Sequence, residues 1–126
     1  MRTVAIPRTE WVRRLNEFSA VHAGWLVSLD VLRPDLGAQH QIDNLPLLGV
    51  CADRTDRDRT IEVSVGRSGG EHLTHMIEAA VRISIARTDD GADAALQVES
   101  ADGTETILRF RAAALPETVD GIVAPR

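Results

Sequence analysis

VRISIARTDDGADAALQVESADGTETILRFR, residues 81–111, decides the fold of this chain, because it resolves into three consecutive antiparallel strands. Val81, Ile83 and Ile85 alternate with Arg82, Ser84 and Ala86. Ala94, Leu96 and Val98 alternate with Ala95, Gln97 and Glu99, and Thr106, Leu108 and Phe110 with Glu105, Ile107 and Arg109. A period of two marks strands with one face in a core. Asp90-Gly91 as a two-residue type I′ turn sets Ile85 opposite Leu96 and Ile83 opposite Val98, with Arg82 facing Glu99 on the other side. For the next connection, a two-residue Asp102-Gly103 loop opposes Leu96 to Arg109. A three-residue Ala101-Asp102-Gly103 loop, with Gly103 left-handed as a G1 bulge, opposes Leu96 to Leu108. A one-residue slip would turn the whole apolar set toward water, so the three-residue loop is expected.

Upstream, Trp11, Leu15, Phe18 and His22 fall at i, i+4, i+7 and i+11, the stripe of a helix over residues 9–21 that packs on the sheet. Thr9 is the expected N-cap, Glu10 suits the helix dipole, and Gly24 ends the element. Trp25, Val27, Leu29 and Val31 form the core face of a strand, followed by a turn at Pro34-Asp35-Leu36-Gly37. A short strand over 38–42 is expected to stop at Leu45-Pro46, since Pro cannot donate to a ladder, with a further strand over 47–53. Residues 53–59 alternate both signs of charge and read as a solvated loop. Ile61, Val63 and Val65 give the next core face, and residues 67–70 a flexible connector. Residues 71–80 fit both periods, but Thr74 and the β-branched residues that follow favour a strand through Leu73, His75 and Ile77. Residues 113–126 read as an extended tail over a sheet edge.

The 126 residues suffice for one domain and one core, and the hydrophobic and charged fractions, 44% and 26%, are those of a globular chain. With two Trp, two Phe and no Tyr, aromatic stacking surface is scarce. A net charge of -5 argues against nucleic acid or an anionic membrane as partner. All 14 basic residues are Arg, which reads as coding bias before any arginine-specific chemistry. Cys51 is alone and lies in an apolar run, so it reads as a buried thiol, and no intrachain disulfide can form. No apolar stretch approaches the ~18 residues of a spanning helix and the N-terminus has no apolar signal core, so a cytoplasmic protein is expected.

Chemistry-bearing motifs are few. His72-x-x-His75 has metal-like spacing, but the two rings share a face only on a helix and oppose one another on a strand, and no cysteine or carboxylate completes a set. Serines and histidines are present without a G-x-S-x-G elbow, and Gly66-Arg67-Ser68-Gly69-Gly70 lacks the lysine and spacing of a phosphate loop. Leu115-Pro116-Glu117-Thr118 is followed by Val119, not by the glycine of a cell-wall sorting signal. Arg82, Arg109 and Arg111 form the best residual basic patch on the solvent face, with Glu99 and Glu105 beside them as counter-charges.

Taken with Ile6-Pro7-Arg8-x-Glu10-Trp11, Gly24-Trp25-Leu26-Val27, Leu45-Pro46-Leu47, His72-Leu73-Thr74-His75, Glu99-Ser100-Ala101-Asp102-Gly103 and Leu115-Pro116-Glu117-Thr118-Val119-Asp120-Gly121, the chain resembles, nearly end to end, a family of small bacterial proteins defined only as domain-of-unknown-function family 5335. The resemblance implies a bacterial, free-standing protein and no reaction, cofactor or partner.

The sequence therefore predicts an α+β protein of one domain, residues 1–126. It has an N-terminal helix at 9–21, an antiparallel β meander over 24–112 and the tail. The sheet is expected to be bent, or a partly open small barrel of about six to seven strands. No catalytic or cofactor site is expected. The leading function is a non-catalytic protein-interaction or accessory module that self-associates through a strand edge or through Ile107. The alternatives are a small-barrel nucleic-acid binder using Arg82, Arg109 and Arg111, and a metal enzyme using His72 and His75.

Overall fold

A computed structural model describes residues 2–52, 59–67 and 70–111. The charged loop at 53–58, residues 68 and 69 of the glycine-rich connector, and residues 112–126 with the expected tail lie outside the described residues. The elements are β1 (Arg2–Ala5), a 3-10 turn (Arg8–Glu10), α1 (Trp11–His22), β2 (Leu26–Arg33), β3 (Gly37–Ala52), β4 (Ile61–Gly66), β5 (His72–Ile77), β6 (Ala80–Arg87), β7 (Asp93–Ser100) and β8 (Glu105–Phe110). They form one eight-stranded antiparallel sheet in the order β1-β6-β7-β8-β2-β3-β4-β5.

The register of the central hairpins is the expected one: Ile85 faces Leu96, Ile83 faces Val98, Arg82 faces Glu99, and Leu96 faces Leu108. The second loop is the three-residue G1 form, with Gly103 at φ +89 and the Ser100 N–H donating to the Thr104 carbonyl at 2.8 Å. The first loop differs from expectation. The Gly91 N–H reaches the Thr88 carbonyl at 3.0 Å, the Thr88 N–H reaches that of Ala92 at 2.8 Å, and of the two central residues only Gly91, at φ +91, is left-handed. This too is a three-residue loop, Asp89-Asp90-Gly91, because Asp90 keeps an ordinary backbone and uses its carboxylate to accept from the Thr88 hydroxyl. A bulge restores the register: Arg87 pairs with Asp93 but Ala86 with Ala95, leaving Ala94 as the extra residue.

Pro46 does not break the chain into two strands as expected. β3 runs 16 residues and changes partner where Pro46 stands: its first part pairs with β2 as far as Leu26 opposite Pro46, and from Leu47 it pairs with β4. The hand-over is a place where a residue without an N–H can be carried. Bulges on either side and a left-handed Asn44 (φ 49) supply the bend. One of them shifts the alternation so that Val50 points inward and Cys51 outward, opposite Glu62; the thiol is exposed, not buried.

α1 lies across β3 and buries Trp11, Leu15, Phe18 and His22, the stripe read from the sequence. Its N-cap is Glu10 without a side-chain cap, since the preceding 3-10 turn takes the place that Thr9 was expected to cap. Ser19 pins the helix to β3: it accepts the Val50 N–H at 2.8 Å and lies 2.8 and 2.9 Å from the Leu15 and Val50 carbonyls. Trp11 Nε1 donates to the Ile6 carbonyl at 3.0 Å, and Ile6 in turn is held by its N–H on Ile83.

Among the described residues the sheet is an open one and not a barrel, and its strands number eight against the expected six to seven, β1 being the one without a sequence signature. It is also not an end-to-end meander, because the short link after β5 at one edge crosses to β6, next to β1 at the other. That crossing requires a strong bend. Ala79, at φ 54, makes it, its carbonyl accepting the Ala101 N–H of the β7–β8 loop at 2.9 Å. Val27, Leu29, Val31, Val63, Ile83, Leu96 and Leu108 fill the concave side. α1 covers one end of that concavity.

Candidate functional site

At the helix-covered end, His22 is buried among aromatic rings, its centroid 4.6 Å from Phe110, 4.6 Å from Trp25 and 4.3 Å from Phe18. Its Nδ1 lies 2.8 Å from the Phe18 carbonyl, which can only accept, so Nδ1 donates. Nε2 lies 3.1 Å from Asp93 Oδ2, and Asp93 Oδ1 accepts from Arg87 Nε at 2.9 Å. The bulge at Ala94 turns Asp93 toward the helix. Both ring nitrogens are thus engaged by protein, which makes His22 a tie between helix and sheet, not a free base. Sequence reading placed His22 on the helix stripe but gave no sign of Asp93, since only the bulge brings them together.

On the convex face, Asp30 is the hub of a cross-strand cluster. Its Oδ2 accepts from Arg109 Nη1 at 2.8 Å and its Oδ1 lies 2.5 Å from His40 Nδ1, while His40 Nε2 is 3.4 Å from Asp43. The hydrogen bond to Asp30 raises the His40 pKa above the ordinary histidine value, helped by Asp43. The sequence offers Glu99 and Glu105 as counter-charges for Arg109. Its partner is Asp30 on β2, a strand the sequence could not place beside β8. Arg82 stands opposite Glu99 and lines a shallow groove with Thr3, Ser84, Gln97, Glu99 and Glu105. Arg111 continues the ladder through its N–H to the Leu26 carbonyl at 3.0 Å. Ile107 is half-buried, between Asp30 and Gln97 in the register.

His72 and His75 both lie on β5, where a spacing of three puts them on opposite faces. Among the described residues no three His, Cys, Asp or Glu side chains gather into a metal-holding group. His75 stands opposite Val63 and points to the concave side with Ile77, while among the described residues β5 has β4 as its only ladder partner. Leu73 and Met76 on this edge strand are 50% and 49% exposed.

The end of the concavity away from α1 holds a recess of about 240 Å³, lined by Val31, Arg33, His75, Ser100, Thr106 and the loop residues Asp102 and Thr104, with Glu78 also in its lining. Burial, and after it the Arg33 guanidinium, lowers the His75 pKa. Asp102 is held below the usual carboxylate range by hydrogen bonds from the backbone and hydroxyl of Thr104, with a smaller contribution from Arg33. Sequence reading named His75 for metal and missed the rest, because residues from β2, β5 and the β7–β8 loop meet here only through the bend.

These features define a small open-sheet α+β protein with one helix on its concave side and a polar recess at the far end. The chain belongs to the family of unknown function DUF5335, whose model matches residues 2–118. It is 29% identical over 118 residues to an "Uncharacterized protein" of Aquifex aeolicus (strain VF5), covering 93% of this chain and 100% of the relative. No solved structure matches it. No helix among the described residues is long and apolar enough to cross a membrane.

Proposed function

We propose that this chain is a non-catalytic protein-interaction or accessory module of the bacterial cytoplasm, and that it self-associates by strand addition at β5. The observation that carries the reading is the character of that edge. Among the described residues β5 is a terminal strand of the sheet and exposes Leu73 and Met76 on its two faces. An edge strand with exposed apolar side chains is a template for another strand, main-chain hydrogen bonds giving affinity and alternate side chains specificity. The engagement of both His22 nitrogens supports a binding role over catalysis by that residue. The nucleic-acid alternative through Arg82, Arg109 and Arg111 is weakened by the pairing of Arg109 with Asp30 at 2.8 Å.

Native mass spectrometry and light scattering of the full-length protein test this. A dimer is expected for the wild type and a folded monomer for Leu73→Glu combined with Met76→Lys. A monomeric wild type at about 0.1 mM, where contacts of useful affinity are filled, refutes the edge-pairing reading. Salt-sensitive RNA binding lost on Arg109→Ala would move the assignment to nucleic acid.

A further inference from the structure

We infer that the recess at the open end of the sheet binds a small zwitterion of amino-acid size, with its carboxylate on Arg33 and its ammonium group toward Glu78 and Asp102. At about 240 Å³ the recess has room for roughly eight waters at ~30 Å³ each, or a molecule of about ten non-hydrogen atoms. Two hydroxyls set in its wall are built for a ligand. Ser100 shares the inward face of β7 with Leu96 and Val98, and Thr106 that of β8 with Leu108 and Phe110; they are 7% and 3% exposed. Neither hydroxyl has a side-chain hydrogen bond to any described residue. Buried polar groups of this kind are satisfied by water or by something that displaces it.

The charges around the recess choose the ligand class. Arg33 brings one guanidinium, whose planar fork suits a carboxylate. Glu78 and Asp102 bring two carboxylates, and Thr104 fixes that of Asp102 by donating its N–H at 2.9 Å. His75 adds no second cation, because burial and Arg33 both favour its neutral ring. A simple anion would meet an excess of negative charge, and a simple cation would leave Arg33 facing its like. A zwitterion presents each end to its complement. Val31 and Ile77 offer apolar wall for a short side chain.

The test is amide and imidazole NMR of the full-length protein titrated separately with the common amino acids, their N-acetyl derivatives, acetate and ethylammonium. At least one free amino acid is expected to give saturable shifts centred on Val31, Arg33, His75, Ser100 and Thr106. N-acetylation and Arg33→Gln should each weaken that binding about tenfold or more, the loss of one charge-assisted contact. Arg109→Gln, on the convex face, should leave it unchanged. Thr106→Val, near-isosteric, provides a second variant that keeps the fold while removing a hydroxyl, and it should also weaken binding. The inference is overturned if no amino acid saturates these resonances below about 10 mM. It is equally overturned if acetate or the N-acetyl forms bind as tightly as the free amino acid, or if Arg33→Gln and Thr106→Val bind it unchanged.

Discussion

Asp93→Ala should destabilise the fold by about 2 kcal/mol, while Arg87→Ala, removing the other end of the same chain of contacts, should cost under about 1 kcal/mol. The asymmetry follows from burial. His22 is buried, and its Nε2 has Asp93 as partner at 3.1 Å with side-chain exposures of 3% and 19%. Without the carboxylate, a buried imidazole group is left unsatisfied, a loss of about 1–3 kcal/mol. Arg87 is 41% exposed on its side chain, so water replaces Asp93 for it at little cost. The cavity of about 180 Å³ beside His22 lets water reach the imidazole in the variant, which holds the loss below the ~3–5 kcal/mol of a fully sealed broken pair. Urea unfolding checks the numbers: at a slope of about 2 kcal/mol/M, the Asp93→Ala midpoint should fall by about 1 M and that of Arg87→Ala by less than about 0.5 M. Asp93→Asn, which keeps a hydrogen-bonding group against Nε2, should recover much of the loss. If Arg87→Ala costs as much as Asp93→Ala, or Asp93→Ala costs less than about 0.5 kcal/mol, then the tie between helix and sheet does not run through His22 as the geometry says.

Two further outcomes are expected. Gly66 sits at φ +153 with space for a Cβ only 2.6 Å from the Glu71 carbonyl oxygen and 2.7 Å from His72 Cδ2; Gly66→Ala should therefore cost about 1–3 kcal/mol and lower Tm by several degrees, whereas an unchanged Tm would mean the β4–β5 connection is not held this close. In NMR pH titrations His40 should show a midpoint above 6.5 and His75 one below it. The signs are opposite: the His40 contribution is fully present below the ordinary histidine value and fades as pH rises through its raised one, while His75 favours the fold above the ordinary value and opposes it as pH falls. Asp30→Asn should return His40 toward 6.5, and a midpoint that does not move would deny Asp30 its role.

Features that repeat over short distances were legible in the order of residues alone. Alternation in residues 81–111 set the partners of Ile83, Ile85 and Leu96, because a slip of one residue would expose the whole apolar face. Helical spacing picked out Trp11, Leu15, Phe18 and His22 for the same reason. Even the wrong turn at Asp90-Gly91 left the register intact, since burial forced a compensating bulge at Ala94. Tertiary structure decided the rest. Arg2–Ala5 has no periodic signature and becomes a strand only because the edge of β6 is there to pair with it. Pro46 passes through the middle of a strand because that strand changes partner beside it, a fact no local rule contains. Asp30 holds Arg109 from the neighbouring strand, one far away in the chain, and Arg33, His75, Ser100 and Thr106 converge from four strands on one recess. Strand patterns record which face of a segment is buried; how far the sheet bends, and therefore which polar residues meet at its open end, depends on bulges and on a left-handed Ala79 that cost energy locally and are stabilised by contacts distant in sequence.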